Sequence, residues 1–155
     1  MKREKYCPVW NPLETTTHQD HVIAHVIGST VLGYFVVDEA LYFVLDMGFI
    51  WRIYLDGEMG LLPGTIAVDE LAVNERLKQT FKTDVELLLR KGEEAAAEIR
   101  ETALLEDDCL IQAVELFSQD DKRRLILHGE ESDLLVETSL STRGFEVGSH
   151  RGETE

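Results

Sequence analysis

Apolar residues along the chain follow two rhythms. From about His21 to Leu62, β-branched and aromatic residues dominate, and turn-forming residues recur at Gly28-Ser29, Asp38-Glu39-Ala40, Met47-Gly48 and Asp56-Gly57. A spacing of about nine or ten residues is that of short strands joined by tight turns. Phe49, Trp51, Ile53 and Leu55 alternate with Ile50, Arg52, Tyr54 and Asp56, giving one apolar and one mostly polar face, as in a half-buried strand. Val31–Val37 and Leu41–Leu45 are apolar on both faces and read as central strands. The segment predicts an antiparallel meander of four or five strands over about 21–62.

After Pro63-Gly64 the period lengthens. Leu77, Phe81, Val85 and Leu88 recur at three- and four-residue spacing, which places them on one face of a helix beginning near Asp69. Thr83-Asp84 is a candidate interruption, and Gly92 a candidate end. A second run from Glu93 to about Gln119 contains Ala95-Ala96-Ala97 and sets Leu110, Val114 and Phe117 on one stripe, so residues 69–119 are expected to hold two or three helices. Glu106-Asp107-Asp108 would cap the last of them. Arg124–His128 and Leu134–Leu140 are β-prone around the polar Gly129–Asp133, which predicts a C-terminal hairpin that extends the first sheet. Residues 1–20 read as an irregular lead-in and 141–155 as a flexible tail. The expected fold is thus a single α+β domain over 1–140.

Composition agrees with one domain: 155 residues, 44% hydrophobic and 29% charged. Charge changes the picture more. Thirty acidic against 15 basic residues leave a net charge of −15, which disfavours nucleic acid and anionic membrane as partners. Residues 1–68 hold 8 acidic and 4 basic groups and residues 69–155 the other 22 and 11, so the acidity belongs mainly to the second part. Cys7 and Cys109 stand far apart outside any C-x-x-C spacing, which indicates neither a disulfide scaffold nor a cysteine zinc site. The basic start, Met1–Lys5, is followed by no apolar signal segment, and no run approaches the roughly 20 apolar residues of a membrane span. A cytoplasmic location is expected.

Candidate chemistry is sparse. No phosphate-binding loop, dinucleotide fingerprint, nucleophile elbow or H-E-x-x-H occurs. His21 and His25 have the spacing of a helical metal pair, but Val22-Ile23 and Val26-Ile27 predict a strand, on which the two would stand about 13 Å apart. His18 and His21 then read as loop or edge histidines, His128 as a hairpin residue without assigned role, and neither metal nor cofactor is expected. Cys7, in a proline-flanked segment, reads as an incidental thiol rather than a nucleophile. Lys122-Arg123-Arg124 follows Asp120-Asp121 and fits a helix-end charge match.

Three functional readings follow. In an antiparallel meander alternate turns share a rim, so Asp38 and Glu39 should lie near Asp56 and Glu58, about 10 Å apart by strand spacing. With Arg52 and Tyr54 beside them, these carboxylates would suit a small hydrolase or lyase, with or without a divalent cation. A sheet face carrying Tyr34, Tyr42, Trp51 and Tyr54 with Arg52 would suit a small-molecule pocket, although core packing is the commoner use of such residues. The third reading rests on charge: −15 exceeds the magnitude of about 2–8 that suffices for solubility. Glu93-Glu94, Glu98, Glu101 and Glu106-Asp107-Asp108 would add to a surface complementary to a basic protein partner. The preferred expectation is a non-enzymatic binding, inhibitory or chaperone-like protein, with homodimerisation through the sheet or its edge as an accompanying expectation.

Overall fold

The computed structural model describes residues 9–91 and 98–150. Cys7, Gly92, Glu93-Glu94, Ala95-Ala96-Ala97 and residues 151–155 lie outside these spans, as do the side chains of Glu106-Asp107-Asp108. The described elements run β1 (Asn11–Pro12), α1 (Thr17–Val26), β2 (Thr30–Val37), β3 (Ala40–Leu45), β4 (Phe49–Tyr54) and β5 (Met59–Pro63). There follow α2 (Gly64–Asp69), α3 (Glu75–Lys91), β6 (Ala103–Gln119), β7 (Lys122–Gly129), β8 (Asp133–Ser139) and β9 (Gly144–His150). The class is α+β with an antiparallel sheet, and strands dominate beyond the four or five expected.

A helix stands where β-branched residues predict a strand. The Thr16 hydroxyl accepts from the Gln19 N–H at 3.1 Å, and the Gln19 side chain accepts from the Thr16 N–H at 2.9 Å, a reciprocal capping box. Gln19, Val22 and Val26 then fall on one buried face of α1. Cap and burial together outweigh the small helix penalty of the Val and Ile residues, a few tenths of a kcal/mol each.

The strand order is β5-β4-β3-β2-β6-β7-β8-β9, antiparallel throughout, with the short β1 added to β6. The meander β2–β5 therefore starts at Thr30 rather than His21. Strand β6 is the joint of the molecule: its first part pairs with β2 and its second with β7. Its register shifts between Val31 and Gly33 against β2, and between Ile111 and Ala113 against β7. These bulges bend the sheet. Gly33 permits the close approach, since a Cβ there would lie 2.7 Å from the Ala103 carbonyl oxygen.

Strand β6 replaces the helix expected through Leu110, Val114 and Phe117. Cys109, Ile111 and Leu116 join the core, with Val114 packed against it, so the inward positions are spaced two, three and two residues apart. The odd step is the bulge; of the three residues on the expected helical stripe only Val114 packs against this core, and Leu110 and Phe117 are half-buried. At the C-terminus, residues expected to fray form β9, which pairs with β8 from Ser139↔Gly144 to Asp133↔His150 while Phe145 and Val147 pack on the core.

The bend divides the apolar interior. One cluster lies between the two arms of the sheet and α1, with Leu41, Phe43, Trp51 and Ile53 from β3 and β4 meeting Leu125, Leu127, Leu134 and Val136 from β7 and β8. The other lies on the opposite face of β2–β5 beneath α2 and α3, where Phe81, Val85 and Leu88 hold their predicted face. Asp84 does not break α3. Fully buried, its carboxylate accepts from the N–H groups of Arg100, Glu101 and Thr102 and from the Thr102 hydroxyl, and so ties the approach to β6 onto the helix.

Candidate binding site at the sheet rim

Four turns meet at one rim. In an antiparallel order the β2–β3 and β4–β5 turns lie on the same edge, as the sequence predicts. The bend in β6 brings the β6–β7 and β8–β9 turns to face them. A buried hydrogen bond bolts the arms together there, the Thr138 hydroxyl donating to the Leu55 carbonyl at 2.7 Å. Arg143, in the left-handed region with φ 58° at the β8–β9 turn, reaches across to an ion pair with Glu39.

The result is a surface depression of about 450 Å3 lined by Glu39, Asp56, Glu58, Tyr54, Arg143, Leu55 and Leu140. Its floor is apolar: Leu55 is buried and Leu140 half-buried. Three of the four expected turn carboxylates are brought to it. Asp38, exposed at φ 56°, is not part of the lining. Asp56 also accepts from the Glu58 N–H at 3.0 Å and so fixes its own turn. On the facing arm, Asp121 accepts from the Ser141 N–H at 3.2 Å, and Ser141 holds its carboxyl below the usual range.

This geometry suits the capture of a cation better than acid–base catalysis. General acids and bases work from water-poor surroundings, where their charge is costly and their proton is poised. Here Glu39, Asp56 and Glu58 are all exposed, one inside an ion pair and one capping a turn. An exposed carboxylate pair above an apolar floor can hold the head of a lysine or arginine while its stem covers the leucines.

The expected aromatic face is divided. Tyr34 and Trp51 point into the cluster between the arms, Tyr34 edge-on to Phe43 and Phe43 tilted on Trp51. Tyr42 lies on the opposite face, stacked on Phe35 beneath the helical layer, and burial pushes its phenol up while neighbouring Arg52 opposes the shift. Arg52 pairs with Glu70 and sits 5.3 Å from the Tyr54 ring centre. The five residues therefore line no common pocket, because successive strand positions alternate faces.

Histidine placement differs as well. On α1, His21 and His25 do share a helix face, contrary to the strand reading that separated them by about 13 Å, but the His25 Nδ1 sits 2.8 Å from the His21 carbonyl. His18 Nε2 lies 3.0 Å from the Met59 carbonyl on β5. No group of three metal-ligating side chains occurs among the described residues. His128, without a role from sequence, bridges Glu115 at 2.7 Å and Asp133 at 3.3 Å on the outer face of β6–β8. Lys122-Arg123-Arg124 begins a strand instead of ending a helix, and Arg124 pairs with Glu137 under Trp10.

Sequence reasoning missed Arg143 and Leu140 as rim residues. A signal existed, since Ser141-Thr142-Arg143-Gly144 between the apolar positions of Leu134–Leu140 and Phe145/Val147 has the composition of a turn. No helix among the described residues is long and apolar enough to cross a membrane. Comparison with protein-family models, with curated proteins and with solved structures returns no match.

Proposed function

We propose that the protein is a non-enzymatic binding protein, inhibitory or chaperone-like in mode, whose acidic rim engages a basic protein partner. The observation that carries this reading is the rim depression. It gathers Glu39, Asp56 and Glu58 over Leu55 and Leu140, and its Glu39 already holds a guanidinium from the chain's own Arg143. The lining of the depression carries three carboxylates, Glu39, Asp56 and Glu58, against the single guanidinium of Arg143. A net charge of −15 over the whole chain adds a long-range field that draws a cationic partner in and weakens with salt.

The test immobilises the full chain and a variant carrying Asp56→Asn and Glu58→Gln, both loaded from native lysate and eluted by a salt gradient. The reading expects basic proteins on the wild type that elute at lower salt from the variant. Identical elution from both would remove the rim from the account. A wild-type column that retains nothing at low salt would end the binding proposal.

A further inference from the structure

The two edges of the sheet differ. At β5 the outer strand ends in Pro63, and His18 of α1 sits on the Met59 carbonyl. Proline and a covering helix are the ordinary means of closing an edge to further strands. Strand β9 is the last in the order at the other side, and no strand is hydrogen-bonded to its outer edge among the described residues, although β6 approaches β9. It has neither proline nor lysine along Gly144–His150. Gly144 and Gly148 occupy positions on the solvent face of β9, on either side of Glu146, and a Cβ on Gly148 would meet nothing within 4 Å.

The charges beside this edge point to its occupant. Glu146 lies directly across from Glu137 in the β8–β9 register, and like charges so placed destabilise a pair unless a cation intervenes. Arg124 supplies one to Glu137, whereas Glu146 has no ion-pair partner among the described residues. A depression of about 310 Å3 opens here, lined by Lys122, Glu137, Ser139, Thr142, Gly144 and Glu146 among others. Through the turn at Leu140–Arg143 it adjoins the acidic rim depression. A second copy of the chain is a poor occupant, because two bodies of charge −15 repel and a β9–β9 pairing would bring two Glu146 side chains to one seam.

We infer that the open edge of β9 receives an extended lysine- or arginine-bearing segment of the basic partner as an added strand, with Glu146 pairing its cationic side chains and the rim depression taking its end. Main-chain hydrogen bonds to the edge supply the attachment and the glycine-flanked glutamate the selectivity. This inference rests on the binding reading above and names the form of the partner.

The probe is a fluorescent decapeptide alternating lysine and threonine, titrated by anisotropy into the full chain at low and high salt, with hydrogen exchange of the β9 amides followed in parallel. Two variants accompany the wild type: Glu146→Lys reverses the charge, and Gly148→Lys blocks the edge at a position with room for a side chain. The expected result is salt-sensitive binding, slowed exchange along β9, and a loss of about tenfold or more in affinity for each variant at unchanged thermal stability. Binding that both variants leave intact, or that slows no β9 amide, overturns the edge while leaving the acidic-binding reading standing. No binding of the peptide at low salt overturns both. Association of the chain with itself, abolished by Gly148→Lys, overturns the choice of partner.

Discussion

Replacing Asp84 tests how the helical layer is tied to the sheet. Its buried carboxylate satisfies four donors, of which the Thr102 N–H and hydroxyl are buried and the Arg100 and Glu101 N–H groups partly so. Asp84→Ala leaves the two buried donors without an acceptor, at about 1–3 kcal/mol each, while the other two can turn to water. Removal of the carboxylate also relieves its own desolvation, which offsets part of the loss. The net expectation is a destabilisation of about 3 kcal/mol, a large share of the roughly 5–15 kcal/mol that holds an ordinary domain. Asp84→Asn keeps the volume and one carbonyl oxygen. Placed at the Oδ2 position, that oxygen retains the contacts to Glu101 and Thr102 and gives up only the one to Arg100, so a cost of about 1–2 kcal/mol is expected. Urea unfolding with an unchanged m-value gives both numbers, and amide exchange at residues 100–102 reports the local release. An Asn variant as unstable as the Ala variant, or an Ala variant within about 0.5 kcal/mol of wild type, would refute hydrogen-bond acceptance as the role of Asp84.

Three further outcomes are expected. The His128 imidazole is held above its usual range by its hydrogen bond to Glu115, with burial opposing and Asp133 adding. A raised histidine contributes stability that is fully present below its ordinary value near 6.5 and is lost as pH rises through the elevated value. Melting temperatures of wild type and His128→Asn should therefore converge above that range and separate below it, by a small margin because the side chain is 37% exposed; parallel curves would dismiss the bridge. Gly33→Ala sets a Cβ 2.7 Å from the Ala103 carbonyl and should cost about 1–3 kcal/mol by denaturant titration; a neutral substitution would show that β2 and β6 part without strain. Cys109 is buried and its thiol is pushed up to about 11 by that burial, so alkylation followed by site-resolved mass spectrometry should track global unfolding, whereas rapid labelling of the native protein at this site would contradict the packing.

Where one element repeats a simple period, the pattern was legible: Phe81, Val85 and Leu88 on α3, the alternation through Trp51 and Ile53 on β4, and the hairpin around Gly129–Asp133. It failed where a local signal competed with a tertiary one. Val22-Ile23 and Val26-Ile27 argue for a strand by propensity, yet the Thr16/Gln19 capping box, itself readable in Thr16-Thr17-His18-Gln19, starts a helix whose face is then buried. Thr83-Asp84 reads as a candidate interruption of the helix, and only the Arg100–Thr102 segment, 16 to 18 residues on, supplies the donors that let Asp84 be buried within it.

By itself the sequence determined the acidity, the α+β class, that part of the strand rhythm read over about 21–62 that begins at Thr30, and the sharing of one rim by the turns at Asp38-Glu39 and Asp56-Glu58, since each follows from composition or from the alternating geometry of neighbouring residues. The tertiary structure alone decided that β6 is a bent strand and that Arg143 and Leu140 meet Glu39 and Leu55 across the fold. Those outcomes depend on contacts between segments some 80 to 100 residues apart, such as Thr138 with Leu55 and Arg143 with Glu39. Their energies belong to pairs of distant residues, and no local period records them.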